Sequence, residues 1–229
     1  MRSLNCSIFM ITAIFSLSVW ANELPTQQHI SVTGTATLDV RPDQVLIKFQ
    51  ATALESKSAL AKQKVDQQVS TLLVNLEKFG FERSSLESAT LYTKAEYDYH
   101  KDKRILLGMR ATRDLSYLLT DISKVNQFLN IVLEANIDLI GELQYGLQFP
   151  GKWQYKVRQM AVEDSLDKAS SLANLYKTKL GKIYSIYYQN SYNRPLMMRA
   201  MQTEMVTTTY QVKTIKLNDT VQAVFLLAP

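Results

Sequence analysis

Apolar residues recur along this chain with two periods, and the change from one to the other marks its elements. Ile30, Val32, Gly34, Ala36, Leu38 and Val40 alternate with Ser31, Thr33, Thr35, Thr37 and Asp39. A period of two gives a strand one dry and one wet face. Arg41-Pro42-Asp43 turns the chain, and Val45, Ile47, Phe49, Ala51 and Ala53 resume the alternation. The two runs read as a long amphipathic hairpin. The period then lengthens. Ser56 or Ser58 can cap a helix, and Ala61, Val65, Val69, Leu72, Leu73, Leu76 and Phe79 form one apolar stripe. Gly80 suits a left-handed helix end, so a helix is expected over Ala59 to Phe79, lying on the dry face of the sheet.

A second strand pair is predicted from Leu91 to Tyr99 and from Ile105 to Leu119, joined by a polar turn at His100 to Lys103. Gly108, inside the longer strand, marks a bulge or a close backbone approach. Ser123 begins a shorter helix striped by Val125, Phe128, Leu129, Val132 and Leu133, and Asn136 stands at its stop. Leu139 to Phe149 is extended. A long helix follows Pro150-Gly151 and runs to Gly181. Its small residues Ala161, Ser165, Ala169 and Ala173, at four-residue steps, allow close packing. Ile183 to Tyr188 is a strand, Asn190 to Thr203 a loop or arm, and Val206 to Val212 extended. Ile215, Leu217, Val221, Ala223, Phe225 and Leu227 keep one parity, which predicts a single strand through Asn218-Asp219. The fold class is α+β: a mostly antiparallel sheet with long strands, and two long helices and one shorter helix packed on one face.

The first residues are of another kind. Arg2 precedes an apolar run from Ile8 to Trp20, and Val19-Trp20-Ala21 suits a signal-peptide cleavage site. Residues 1–21 read as a signal peptide, leaving 22–229 as the mature domain. The run is short for a membrane span, and no later segment is apolar enough to span. The formal charge falls from +5 to +4 when Arg2 leaves with the leader. Those charges are dispersed, which points to solubility and away from a nucleic-acid partner. The one cysteine, Cys6, lies in the leader. The mature chain therefore has no disulfide, thiol nucleophile or cysteine metal site.

The pattern Ile30-x-Val32-x-Gly34 … Val40-x-Pro42-Asp43 resembles the opening signature of the SIMPL domain family. The resemblance continues through Gly108-x-x-Ala111-x-Arg113-Asp114-Leu115, through Ala161 … Lys168-Ala169-x-x-Leu172-Ala173 … Leu180-Gly181, and into Val221-x-Ala223-Val224-Phe225. It covers nearly the whole mature chain. Three positions depart from the family pattern: Ala36 and Lys177 stand where glycines are usual, and Asn136 where glycine is common. The family is a set of bacterial exported proteins that includes a periplasmic immunogenic protein and an oxidative-stress defence protein. The resemblance implies an α+β fold, a periplasmic or outer-membrane-associated location and, in some members, oligomerisation. It implies no catalytic residues.

Residue chemistry adds little. His29 and His100 are far apart in the chain, so a zinc site is not expected. No serine elbow or phosphate-binding glycine loop occurs. Glu163 and Asp164 are adjacent on a helix and diverge by about 100°. Arg113 has inward parity and needs a carboxylate or carbonyls, so a structural ion pair or an interface contact is expected there rather than a ligand site. Met197, Met198, Met201 and Met205 cluster beside Arg194 and Arg199. Thioethers can hold Cu(I), but the plainer reading is an adaptable contact arm. Tyr92, Tyr97, Tyr99, Tyr155, Tyr184, Tyr187, Tyr188 and Tyr192 suit grooves or interfaces. No catalytic, cofactor or metal residues are assigned. The expectation is a non-enzymatic periplasmic protein, acting in oxidative or envelope stress tolerance through homo-oligomerisation or binding to an envelope component. The alternatives are an enzyme on an envelope substrate, which would need shifted pKa values inside a concave pocket, and metal handling by the Met arm. Long strands with projecting ends and the arm Arg194 to Met205 are the expected contacts for self-association.

Overall fold

The alternating runs at the start of the domain are both strands, but they do not pair with each other. The computed structural model describes residues 25–100, 103–137, 139–189, 198–199 and 213–228. β1 (His29–Val40) pairs antiparallel with β9 (Ile215–Ala228), whose other edge takes β7 (Lys179–Tyr187). β2 (Gln44–Glu55) belongs to a second sheet, between β5 (Lys103–Leu119) and β6 (Leu139–Gly146). The expected hairpin is thus a crossing from one sheet to the other. A period of two fixes which face is dry but says nothing of which strand lies alongside. The crossing is held at Asp43. Its amide donates to the Gly146 carbonyl at 3.1 Å, and its carboxylate accepts from the Gln148 amide at 2.7 Å.

β5 carries β3 (Leu86–Ser88) and β4 (Tyr92–His100) end to end on its far edge, and β6 is edged by the short β8 (Met198–Arg199). All pairings are antiparallel. α1 (Ser58–Lys78) and α2 (Val125–Glu134) cover one face of the second sheet, and α3 (Pro150–Leu175) covers one face of the first. The fold is α+β with two long helices and one shorter one, as the periodicity predicts, with its strands divided between two sheets.

Helix starts and stops follow local chemistry. α1 begins after Lys57 with no side-chain cap bond, so neither serine near its start caps it. Before α2, Asp121 rather than Ser123 accepts the exposed amide, at 3.1 Å. All three helices end alike. Gly80, Asn136 and Lys177 each adopt a left-handed φ, and the next residue's amide returns to a carbonyl five residues back. Lys177 therefore ends α3. The sequence reading ran this helix to Gly181, but Leu180 and Gly181 belong to β7. Gly181 is a close approach to β9, where an added Cβ would lie 2.8 Å from the Leu226 carbonyl oxygen. The expected strand at 139–149 stops at Gly146. The last strand is unbroken through Asn218-Asp219, as its parity predicts. The extended run at 206–212 lies outside the described residues, as does the arm at 190–203 apart from 198–199.

Candidate functional site

Three places bring chemistry together: a buried carboxylate cluster, a groove, and a projecting ribbon. The cluster is built on Asp219, which sits in the dry row of β9 between Leu217 and Val221 and is 2% exposed. A charge there must be paired. Its Oδ2 accepts from Gln154 Nε2 at 3.1 Å, Tyr188 OH at 3.1 Å and Arg158 Nε at 3.4 Å. Its Oδ1 accepts from the Thr220 amide at 2.8 Å. Arg158 also donates to the Tyr188 oxygen at 2.9 Å, and its guanidinium lies 4.7 Å from that ring's centre. Burial pushes the Tyr188 phenol up, and Asp219 adds to this while Arg158 opposes it. Burial works to lower the Arg158 guanidinium, but Tyr188 and Asp219 raise it further. With four donors on one carboxylate, the cluster is an anchor. It fixes the residue that follows β7 to both α3 and β9.

The groove, of about 320 Å³, opens on the outer face of the second sheet between Gln44, Leu46, Glu87, Ser116, Leu118 and Gln144. Its polar groups are largely engaged with one another or with the backbone. Ser116 donates to Glu87 at 3.3 Å, Gln144 to Glu142 at 2.7 Å and Gln44 to the Leu147 carbonyl at 3.1 Å. Tyr188 and Arg158, whose pKa values are displaced, are not part of this lining. This groove and the Asp219 cluster are thus separate places.

The ribbon is the distal part of β4 and β5. β2 ends at Glu55, opposite Met109, so residues 103–108 of β5 have β4 as their one strand partner among the described residues. Gly108 has φ +156°, and an added Cβ there would lie 2.6 Å from the Glu55 carbonyl oxygen. The register shifts between Glu96 and Tyr97, so the expected bulge and the expected close approach coincide. Beyond it Ile105, Leu106 and Leu107 are each about half exposed, and Tyr99 is 72% exposed. The Arg104 guanidinium lies 3.5 Å from the centre of the Tyr97 ring. At the base, Arg110 forms a forked pair with Glu96, and this contact holds the Glu96 carboxyl below its usual range.

The residues singled out in the sequence do not gather. Arg113 reaches Asp66 of α1 at 3.1 Å, the expected ion pair. The hydrogen bond from Lys62, and to a smaller extent the charge of Arg113, hold the Asp66 carboxyl below the usual range. Glu163 accepts from Gln159 at 3.1 Å. Asp164 turns the other way and accepts the Thr35 amide of β1 at 2.7 Å. His29 contacts the Gln27 carbonyl at 2.9 Å. Met197, Met201 and Met205 lie outside the described residues. Among those described, no three His, Cys, Asp or Glu residues form a metal-binding group, and no helix is long and apolar enough to cross a membrane. Asp219 and Arg158 went unnoticed in the sequence, although a carboxylate at dry parity within an apolar row was the available signal.

The model of the family described as "SIMPL: Protein of unknown function (DUF541)" matches residues 30–225. The chain belongs to the SIMPL family. Its SIMPL relatives include the "Uncharacterized protein YggE" of Edwardsiella ictaluri, 35% identical over 219 residues, with 92% of each chain covered. The YggE protein of Escherichia coli (strain K12) is 31% identical, over 96% of this chain and 91% of its own. The "26 kDa periplasmic immunogenic protein" of Brucella melitensis biotype 1 is 23% identical, over 79% of this chain and 75% of its own. The SIMPL match spans both sheets, so the crossing at Arg41-Pro42-Asp43 and the long-range pairing of β1 with β9 lie inside the family's domain.

Proposed function

We propose that this SIMPL protein is exported to the periplasm, is not an enzyme, and contributes to oxidative or envelope stress tolerance by self-assembly or binding. The observation that carries the reading is the ribbon. Three consecutive large aliphatic residues and an adjacent tyrosine stand exposed beyond the reach of β2. Successive strand residues alternate faces, so the ribbon carries exposed apolar side chains on both of its faces; single exposed apolar residues are ordinary, but several on one projecting element mark a contact surface. The leader at 1–21, with cleavage after Ala21, and the Brucella relative's periplasmic description support export. The stress role is carried over from the family resemblance.

The test is genetic and biophysical together. A deletion strain should lose survival under peroxide, heat or envelope stress, and the wild-type gene should restore it. The variant Ile105→Ser/Leu106→Ser/Leu107→Ser should be exported and folded but should fail to restore it. Unchanged survival on deletion removes the stress role, and full rescue by the triple variant removes the ribbon as the working surface. Light scattering after size-exclusion chromatography of the mature chain should give a mass above the monomer at micromolar concentration. A clean monomer leaves binding without self-assembly.

A further inference from the structure

The far end of the β4–β5 ribbon is apolar on both faces, and its base holds it out. Opposed residues of a strand pair share a face. Tyr97 lies opposite Leu106 and Tyr99 opposite Arg104, so these four belong to one face. Asp98 and Ile105, also opposed, belong to the other. The Arg104 guanidinium over the Tyr97 ring agrees with that assignment. Leu107 follows at the register shift, before Gly108. Lys103 and Arg104, the outermost described residues of β5, are exposed like the three aliphatic residues after them. Asp98 turns its carboxylate to the Tyr99 amide at 2.8 Å. The base is stiff. Gly108 is buried against the Glu55 backbone, and Arg110 joins Glu96 of β4 to Thr52 of β2.

We propose that the ribbon docks on a phospholipid bilayer with anionic headgroups, entering as far as the boundary between headgroups and acyl chains. The inference rests on the binding reading above and names the partner as a lipid surface. Two-sided exposure selects the occupant. A folded protein presents one surface, so it covers one face of a ribbon and leaves the aliphatic side chain of the other in water. A lipid interface is fluid and closes around both. The side chains are those that interfaces favour. Tyr99 has an apolar body and a polar tip, which suits headgroup depth. Lys103 and Arg104 have long apolar stems that lie along the aliphatic residues while their charges stay among the phosphates. The backbone sets the depth. The outer edge of β5 at 103–108 pairs with no strand among the described residues. Unpaired amides and carbonyls are not tolerated in the hydrocarbon core. The ribbon therefore stays shallow, where water and headgroup oxygens reach that edge. Its stiff base leaves little backbone to order on docking.

Co-sedimentation of the mature chain with vesicles tests this. One set of vesicles holds equal parts of phosphatidylethanolamine and phosphatidylglycerol, the other phosphatidylcholine alone. The wild type should bind the anionic set more tightly. Ile105→Ser/Leu106→Ser/Leu107→Ser should lower the partition coefficient by about tenfold or more on both. Circular dichroism and melting temperature should not change, because the three side chains already face solvent. Lys103→Gln/Arg104→Gln should lower it by about tenfold on the anionic set alone. Tyr99→Trp should gain blue-shifted emission on the vesicles, quenched more by spin labels near the headgroups than by labels deep in the acyl chains. A wild type that does not bind, binding that ignores the serine variant, or a tryptophan that stays in water overturns the lipid inference. The stress reading is judged apart: failed rescue by the serine variant with no vesicle binding leaves the ribbon working on a protein. A serine variant that turns an assembly into a monomer while vesicle binding holds gives the ribbon to another copy, and this also overturns the inference.

Discussion

The two helix–sheet layers of this protein reach the same arrangement by opposite means. Under α1 and α2 the space is filled by volume. Phe49, Phe81 and Tyr117 surround Phe128, with ring centres 6.0, 5.8 and 4.4 Å from it, and Ile47, Leu72 and Leu76 complete a single large core. Under α3 the space is removed. Gly34 of β1 faces Ala161 and Ser165, and a Cβ added to it would lie 2.0 Å from the Ala161 carbonyl oxygen. Val157, Ala161, Ser165, Ala169 and Ala173 make up the buried line of that helix. One layer gains from apolar area withdrawn from water. The other gains from backbone-to-backbone contact, where dispersion is summed over many close atoms. The first is weakened by taking atoms away and the second by adding them.

That contrast can be broken at either end. Phe128→Ala should cost the most, about 4 kcal/mol, since truncating a buried aromatic leaves both lost transfer energy and a cavity. Urea unfolding measures it, and a loss under about 1 kcal/mol would mean that the rings around Phe128 close the gap. Gly34→Ala should follow at about 3 kcal/mol, although it adds only a methyl group. A backbone oxygen stands in its way, and no rotamer can relieve that. Retained wild-type stability would show that α3 is free to lift off β1. Lys177→Gly should have the smallest effect, and of opposite sign. Lys177 holds φ 56° at the end of α3. Glycine adopts that conformation without the Cβ penalty, so the melting midpoint should rise by the equivalent of about 1 kcal/mol.

Much of the first contrast was legible. The stripe Ala61, Val65, Val69, Leu72 and Leu76 is buried as its spacing predicts, and the small residues of α3 mark a close approach. Gly80 and Asn136 end helices because their chemistry allows positive φ. Lys177 does the same against its chemistry, with the Thr178 amide returning to the Ala173 carbonyl, so the end of α3 was misread. Strand partners were illegible for a different reason. Parity encodes faces, and the neighbours of β1 and β2 are chosen by contacts far along the chain. Asp219 was visible only as a break in an apolar row, since the groups that neutralise it come from α3 and from beyond β7. The course of β7 was hidden too. Bulges turn the spacing of Leu180, Ile183 and Ile186 from two to three, which an alternating pattern does not announce.

The pairing of β1 with β9 joins His29 to Leu226 and Val40 to Ile215. These partners are separated by nearly the whole domain, so the sheet beneath α3 has no centre until the final strand is available. Loop closure over such a distance is costly before any contact repays it, and topologies of this kind fold slowly. The second sheet and its two helices are complete in sequence by Gly146, apart from the short β8. During synthesis this chain can assemble one half early, while β1 waits for its partner. Its N-terminal strand thus lacks its partner until the last strand arrives, so the layer under α3 closes only after the chain is almost complete.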